Sequence, residues 1–196
     1  TEDMYKFAGT SEHEIDIVQN VNKTPAEQIF SSVRARIPWL IITLLAGLLS
    51  SAILSNLDFI MNPKYASLVF FIPVVLGMGG NIGTQSSALA VMSLSNKDLE
   101  FNNVIREAVV GIITGIICSL IVSIIVFIFI KDINIVLVVT VSLFINIIVG
   151  AMIGGFMPIL FKKLDADPSI ISAPVIATML DITGITIYLV TTTIIL

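Results

Sequence analysis

Histidine, cysteine and tryptophan occur once each in this chain, at His13, Cys118 and Trp39. One cysteine excludes an internal disulfide framework and a cysteine-rich metal site. His13 sits in a polar N-terminal stretch and reads as a solvated surface residue rather than a ligand. Charge is scarce too: Asp, Glu, Lys and Arg make up 12% of residues, gathered in the N-terminal arm and a few short loops. No basic patch or aromatic-interleaved basic stripe exists to hold a phosphate backbone, so nucleic acid is excluded as a partner. The polar, acidic opening lacks the basic-then-apolar pattern of a secretory signal. A chain that opens at Thr1 rather than Met is expected to be a piece of something longer.

What remains is apolar. Hydrophobic residues are 56% of the chain, and its mean hydropathy of +1.03 lies outside the range of a soluble globular domain. Charges divide it into uncharged stretches long enough to cross a bilayer, which takes about 20 helical residues. These lie between Arg36 and Asp58, Lys64 and Lys97, Glu107 and Lys131, Asp132 and Lys162, and from Asp167 onwards. The runs are continuous rather than alternating, which selects helices over a barrel. The expected fold is therefore an all-α integral membrane protein with five transmembrane helices.

Lys6, Lys23, Arg34, Arg36, Lys97, Arg106, Lys162 and Lys163 fall on one side of that arrangement; Lys64 and Lys131 fall on the other. The positive-inside rule then makes the N-terminus cytoplasmic and the C-terminus extracytoplasmic, with Trp39 as an inner-leaflet anchor. Residues 1–36 form a cytoplasmic connecting segment and residues 37–196 the membrane domain. Thr24-Pro25-Ala26-Glu27 predicts a helix start with Thr as N-cap and Glu closing a capping box. A short amphipathic helix through Ile29, Phe30 and Val33 should lead into the first span. It suits a pore mouth, the membrane face or a plain linker equally. An odd number of spans is closed most simply by a homodimer.

Asp181 stands alone in the apolar stretch from Ser169 to Leu196. A carboxylate at that depth costs on the order of 2.5–3.5 kcal/mol on insertion scales, and a cation beside it removes the penalty. The bland alternative is a carboxylate satisfied by the Thr178 or Thr183 hydroxyl or by a neighbouring helix. Asp167, before Pro168, suits a helix N-terminus. Fourteen residues separate it from Asp181, which places the two on nearly one helix face, about 21 Å apart along the axis. Ala177 and Thr178 lie one turn before Asp181 on that face, and Pro174 should kink the segment and free a carbonyl.

The second span carries Pro73-Val74-Val75-Leu76-Gly77-Met78-Gly79-Gly80-Asn81-Ile82-Gly83-Thr84-Gln85. Gly79 and Gly83 are spaced for close helix approach, and Asn81 and Gln85 share one face. Either this is a tight packing seam, or a bent helix lining a wet cavity where oxygens face an ion. Gly111-x-x-x-Gly115 and Gly150-x-x-x-Gly154 lack polar company and read as packing alone. Glu107 reads equally as an interface charge or as a packing partner of the second span.

The Pro73–Gln85 motif, the Asp167-Pro168 turn and Leu180-Asp181-Ile182-Thr183-Gly184 together resemble the membrane domain of MgtE-type magnesium channels and transporters. The resemblance runs from Arg34-x-Arg36-x-Pro38-Trp39 through the fifth span. It implies a homodimer whose central pore is lined by the second and fifth spans, including Gly79, Gly80, Asn81, Gln85 and Thr178. It implies a Mg²⁺ site at Asp181 with the Ala177 carbonyl, and a second metal-associated position at Asp167. Residues 1–9 resemble the end of a pair of cytosolic CBS domains, with Glu2 and Asp3 matching acidic positions for regulatory Mg²⁺. The helix around Thr24–Val33 matches a plug helix. Two departures stand out: Met92 occupies a position that is usually basic, and Ala173 one where some members carry Asn.

The expected function is passive Mg²⁺ uptake across the cell membrane, with a proton- or sodium-coupled divalent-cation carrier as the alternative. No enzyme is expected. An intramembrane aspartyl protease needs two carboxylates sharing a proton within one chain, and Asp181 alone lies deep. A purely structural anchor leaves the polar second span unexplained.

Overall fold

The computed structural model describes residues 24–55, 66–95, 102–164 and 168–196. Every regular element among them is helical: α1 (Pro25–Ser55), a 3-10 helix (Ala66–Phe71), α2 (Ile72–Ser95), α3 (Asn102–Ile130), α4 (Ile133–Lys163) and α5 (Pro168–Ile195). The chain divides into two units at Ile41/Ile42.

In the first unit, α1 begins as its residues dictate. The Thr24 N–H and hydroxyl donate to Glu27 Oε2 at 2.9 and 2.8 Å, and the Glu27 N–H donates back to Thr24 Oγ1 at 3.4 Å. This is the expected capping box. Ile29, Phe30, Val33 and Ile37 are exposed. The short helix expected here is instead the start of one that continues through Pro38. Between Pro25 and Pro38 no glycine interrupts it, and Pro38 removes a single helical donor, the one that would meet the Arg34 carbonyl.

Among the described residues of the second unit, four stretches are long and apolar enough to cross a membrane: Ala66–Leu94, Val104–Ile130, Ile133–Lys163 and Val175–Ile195. Leu40–Ser55 is apolar but shorter. It stands where the first of five spans was expected.

α4 is the central helix, packed against α2, α3 and α5. Contacts along it give the directions. Gly150 meets Gly79 and Gly154 meets Gly83, so α2 and α4 run parallel. Gly115 meets Phe144, Gly111 meets Ala151, and Gly155 meets Glu107, so α3 runs the other way. Tyr188 reaches Leu68, Gly184 meets Leu76, and Leu180 meets Gly83, so α5 opposes α2.

Within lipid, helices gain little from hiding apolar surface from one another, and close backbone packing does the work instead. Glycines make that approach possible. A Cβ on Gly154 would collide with the Gly83 carbonyl, and one on Gly150 would lie 2.6 Å from the Gly79 carbonyl. The two Gly-x-x-x-Gly pairs of α4 and α3, read as packing alone, do serve as seams. The larger core cluster gathers Leu68, Val75, Val126, Val138, Val139, Leu143, Ile147 and Tyr188, with Leu54 of α1 against it; Met157, Ile176 and Leu180 form a second.

The connection from α3 to α4 is two residues long. Lys131 takes a left-handed backbone, φ 54°, and Asp132 caps α4 by accepting from the Asn134 N–H at 2.9 Å. Lys131 therefore lies at one end of the bundle, while Arg106, Lys162 and Lys163 lie at the other.

Candidate cation site

One face of α2 has no partner among the described residues of the second unit. Gly77, Asn81, Thr84, Gln85 and Ala88 are exposed along it, and Gly80 is half-buried. Apolar residues bracket this polar middle: Phe70 and Val74 before it, Leu89 and Met92 after it, all exposed. A Cβ on Gly77 or Gly80 would meet nothing within 4 Å. Thr84 Oγ1 turns back to the Asn81 carbonyl at 2.9 Å. The amides of Asn81 and Gln85 thus stand one turn apart on an open strip. Facing hydrocarbon, two amides would forfeit their hydrogen bonds with water.

Gly79 differs from its neighbours. It is buried and turned inward against the Asn146 side chain, so it belongs to the α2–α4 seam, as its spacing from Gly83 anticipates. It does not share the open face of Gly80, where the expected pore lining had placed it.

Asp181 is reached from α5. Leu180 is buried against Gly83, which sets Asp181, the next residue, at the level of the Asn81–Gln85 strip. Asp181 is partly exposed. Among the described residues, no hydrogen bond or ion pair reaches its carboxylate. The two hydroxyls that would have made it an inert buried acid do not do so. Thr183 Oγ1 donates to the Met179 carbonyl at 2.7 Å, and Thr178 Oγ1 is buried without a partner. Ala177 and Thr178 lie one helical turn before Asp181 and are half-buried. The Ala177 carbonyl points along α5 towards the Asp181 N–H, with one lone pair left over.

The donors gathered at this level are carboxylate, carbonyl, amide and hydroxyl oxygens. Such a set suits hard cations such as Mg²⁺, Ca²⁺ or Mn²⁺. Among the described residues, no three His, Cys, Asp or Glu side chains come together. Asp167, Glu2 and Asp3 lie outside the described residues, as does the 1–9 segment.

Glu107, left open by sequence, is a packing partner of the second span: Ser86 Oγ donates to its Oε2 at 2.7 Å. Sequence reasoning passed over Asn146, fully buried on α4, whose Nδ2 donates to the Val75 carbonyl at 2.6 Å. The signal was present. An amide in an apolar span, four residues before Gly150 and eight before Gly154, lies on the packing face.

The model of a family described as MgtE, divalent cation transporter, matches residues 72–191. The chain belongs to this family. Curated relatives named magnesium transporter MgtE agree. The Thermus thermophilus protein is 33% identical over 79% of this chain and 35% of its own length. The Bacillus subtilis protein is 35% identical over 78% and 35%, and the Enterococcus faecalis protein 31% over 87% and 38%. This MgtE chain therefore spans little more than a third of the relatives it matches. The matched region runs from α2 to α5 and contains both the polar strip and Asp181.

Proposed function

We propose that this chain is the pore-forming part of a passive Mg²⁺ channel. Two copies place the open strips of α2 and the Asp181 level of α5 around a shared aqueous path. The observation that carries this reading is the Asp181 carboxylate: partly exposed, unpaired among the described residues, and level with two amides on a face of α2 that no described helix of the second unit covers.

Mg²⁺ parts with its water reluctantly and demands octahedral oxygen geometry. Two Asp181 carboxylates across a two-fold axis, with the Ala177 carbonyls, hold such an ion through its water shell. Gly80, Asn81, Gln85 and Thr178 line the approach. Asp167 marks the cytoplasmic entrance. Inward movement of a divalent ion gains roughly 4.6 kcal/mol per 100 mV of membrane potential, so uptake needs no coupled ion.

In this reading Leu40–Ser55 extends into the first of five spans. The end holding Arg106, Lys162 and Lys163 faces the cytoplasm, as the positive-inside rule requires. The start of α1 acts as a plug, and cytosolic CBS domains with Glu2 and Asp3 supply regulation by Mg²⁺ in the complete protein.

The test is flux into liposomes with Mg²⁺, Mn²⁺ and Ca²⁺ side by side. Asp181→Ala is expected to abolish saturable Mg²⁺ entry while the dimer stays assembled. Undiminished entry would refute the site, and strict dependence on a proton or sodium gradient would replace the channel with a coupled carrier.

A further inference from the structure

Glu107 is a buried acid that the cation path does not use. Its exposure is 4%, although it lies within the spanning stretch of α3. Its Oε1 meets Arg106 Nη2 at 3.3 Å, but that arginine side chain is 58% exposed, so the ion pair contributes little. The inner end of the carboxylate is held by Ser86 Oγ at 2.7 Å. Gly155 of α4 makes room for the glutamate stem; a Cβ there would lie 3.3 Å from Glu107 Cβ and Cγ.

Among the described residues, side-chain hydrogen bonds hold the 3-10/α2 segment from its buried side at these levels. Tyr188 Oη donates to the Leu68 carbonyl at 2.7 Å, and Asn146 Nδ2 to the Val75 carbonyl at 2.6 Å. Lys162 Nζ donates to the Leu94 carbonyl at 3.2 Å. Those three hold the main chain. The Ser86–Glu107 bond differs because it grips a side chain, one residue from Gln85. Neighbouring residues project about 100° apart around a helix, so holding Ser86 inward holds Gln85 and Asn81 outward. A leucine at 107 would pack at lower cost than an acid. Replacing a buried charged contact with a well-packed apolar residue is often neutral or stabilising, so stability does not account for the glutamate.

We propose that Glu107 is a positioning residue for the cation path: acting through Ser86, it fixes the rotation of α2 that presents Asn81 and Gln85. The inference rests on the transport reading above.

The test uses the full chain in liposomes, with Cys118→Ser and Gln85→Cys added for a labelling series. Two quantities are read per folded protein: the ratio of Mg²⁺ to Ca²⁺ flux, and the rate at which a membrane-impermeant maleimide labels position 85. Ser86→Ala and Glu107→Leu are each expected to shift both by about fivefold, the scale of one net hydrogen bond. The double variant should do no more than either alone. Glu107→Gln, whose amide oxygen still accepts from Ser86, should restore both. Lower yield with unchanged ratio and labelling marks a merely structural role and overturns the inference. So does Glu107→Gln behaving like Glu107→Leu. Should Glu107→Leu not fold, Ser86→Ala decides by the same readouts. Asp181→Ala, run in parallel, separates the two ideas. Saturable flux surviving there removes the Asp181 site from the transport reading, whereas flux lost there with labelling unchanged in Ser86→Ala removes only the role of Glu107.

Discussion

Gly83 and Gly154 face each other across the α2–α4 seam so closely that a Cβ on Gly154 would collide with the Gly83 carbonyl. The obstruction is backbone, which cannot rotate away as a flexible side chain can. Gly154→Ala must separate the two helices, at a cost of about 1–3 kcal/mol, as for other overpacked cores. Gly80→Ala is the control: nothing lies within 4 Å of that position, and alanine gains roughly 1 kcal/mol in helix propensity. Thermal unfolding in detergent should drop for the first variant and hold or rise for the second. Lost flux in a stable Gly80→Ala protein would show that the open side is used by the ion or a second copy.

Tyr188 and Leu68 lie 120 residues apart in sequence, yet the buried phenol donates to the Leu68 carbonyl at 2.7 Å. That carbonyl belongs to the 3-10 turn leading into α2. Tyr188→Phe removes the donor while keeping the ring, so the packing stays and the hydrogen bond goes. A loss of about 0.5–1.5 kcal/mol is expected, the net scale of a hydrogen bond between helices. Melting of the two proteins in the same detergent checks it; equal melting temperatures would mean the carbonyl finds another donor.

Much of this fold was legible because lipid leaves few options. Long uncharged runs must be helices, and Lys131-Asp132 sat where one span had to end and the next begin. The capping box at Thr24 and the Gly-x-x-x-Gly seams follow from local chemistry and were readable for the same reason. What sequence could not resolve was rotation. Gly79 and Gly80 are neighbours of one residue type, yet one faces Asn146 and the other open space. Choosing between them requires knowing which side of α2 meets α4. Glu107 stayed ambiguous on the same ground, since its partner Ser86 lies 21 residues away on another helix. Asp181 was legible as a candidate because a carboxylate at that depth is costly whatever surrounds it. That its carboxylate has no partner among the described residues, with Thr183 engaged elsewhere, is a property of the folded chain.

Lys131 holds φ 54° in the two-residue link between α3 and α4. A side chain in the left-handed region costs roughly 1–2 kcal/mol that glycine avoids. Lys131→Gly should recover up to about 1 kcal/mol of that, less what glycine adds to the entropy of the unfolded chain. The link is far along the chain from the polar strip, so Mg²⁺ flux per folded protein should not change. Calorimetry of the variant in detergent, together with liposome flux, tests both halves of the expectation.

Asp181 offers a test independent of transport. In the proposed dimer, two carboxylates approach one another and repel when no cation lies between them, so the empty assembly carries a penalty that a divalent ion removes. Mg²⁺ should therefore stabilise the folded protein, by about 2.7 kcal/mol once its concentration reaches 100-fold the dissociation constant. Asp181→Asn removes the repulsion and the charge that attracts the ion. That variant should melt at or above the wild type without Mg²⁺, and its melting temperature should stay flat as Mg²⁺ is added. A titration of melting temperature against Mg²⁺ distinguishes the outcomes. If both proteins respond to Mg²⁺ in parallel, the stabilising ion binds away from Asp181, and the central pair is not where the cation rests.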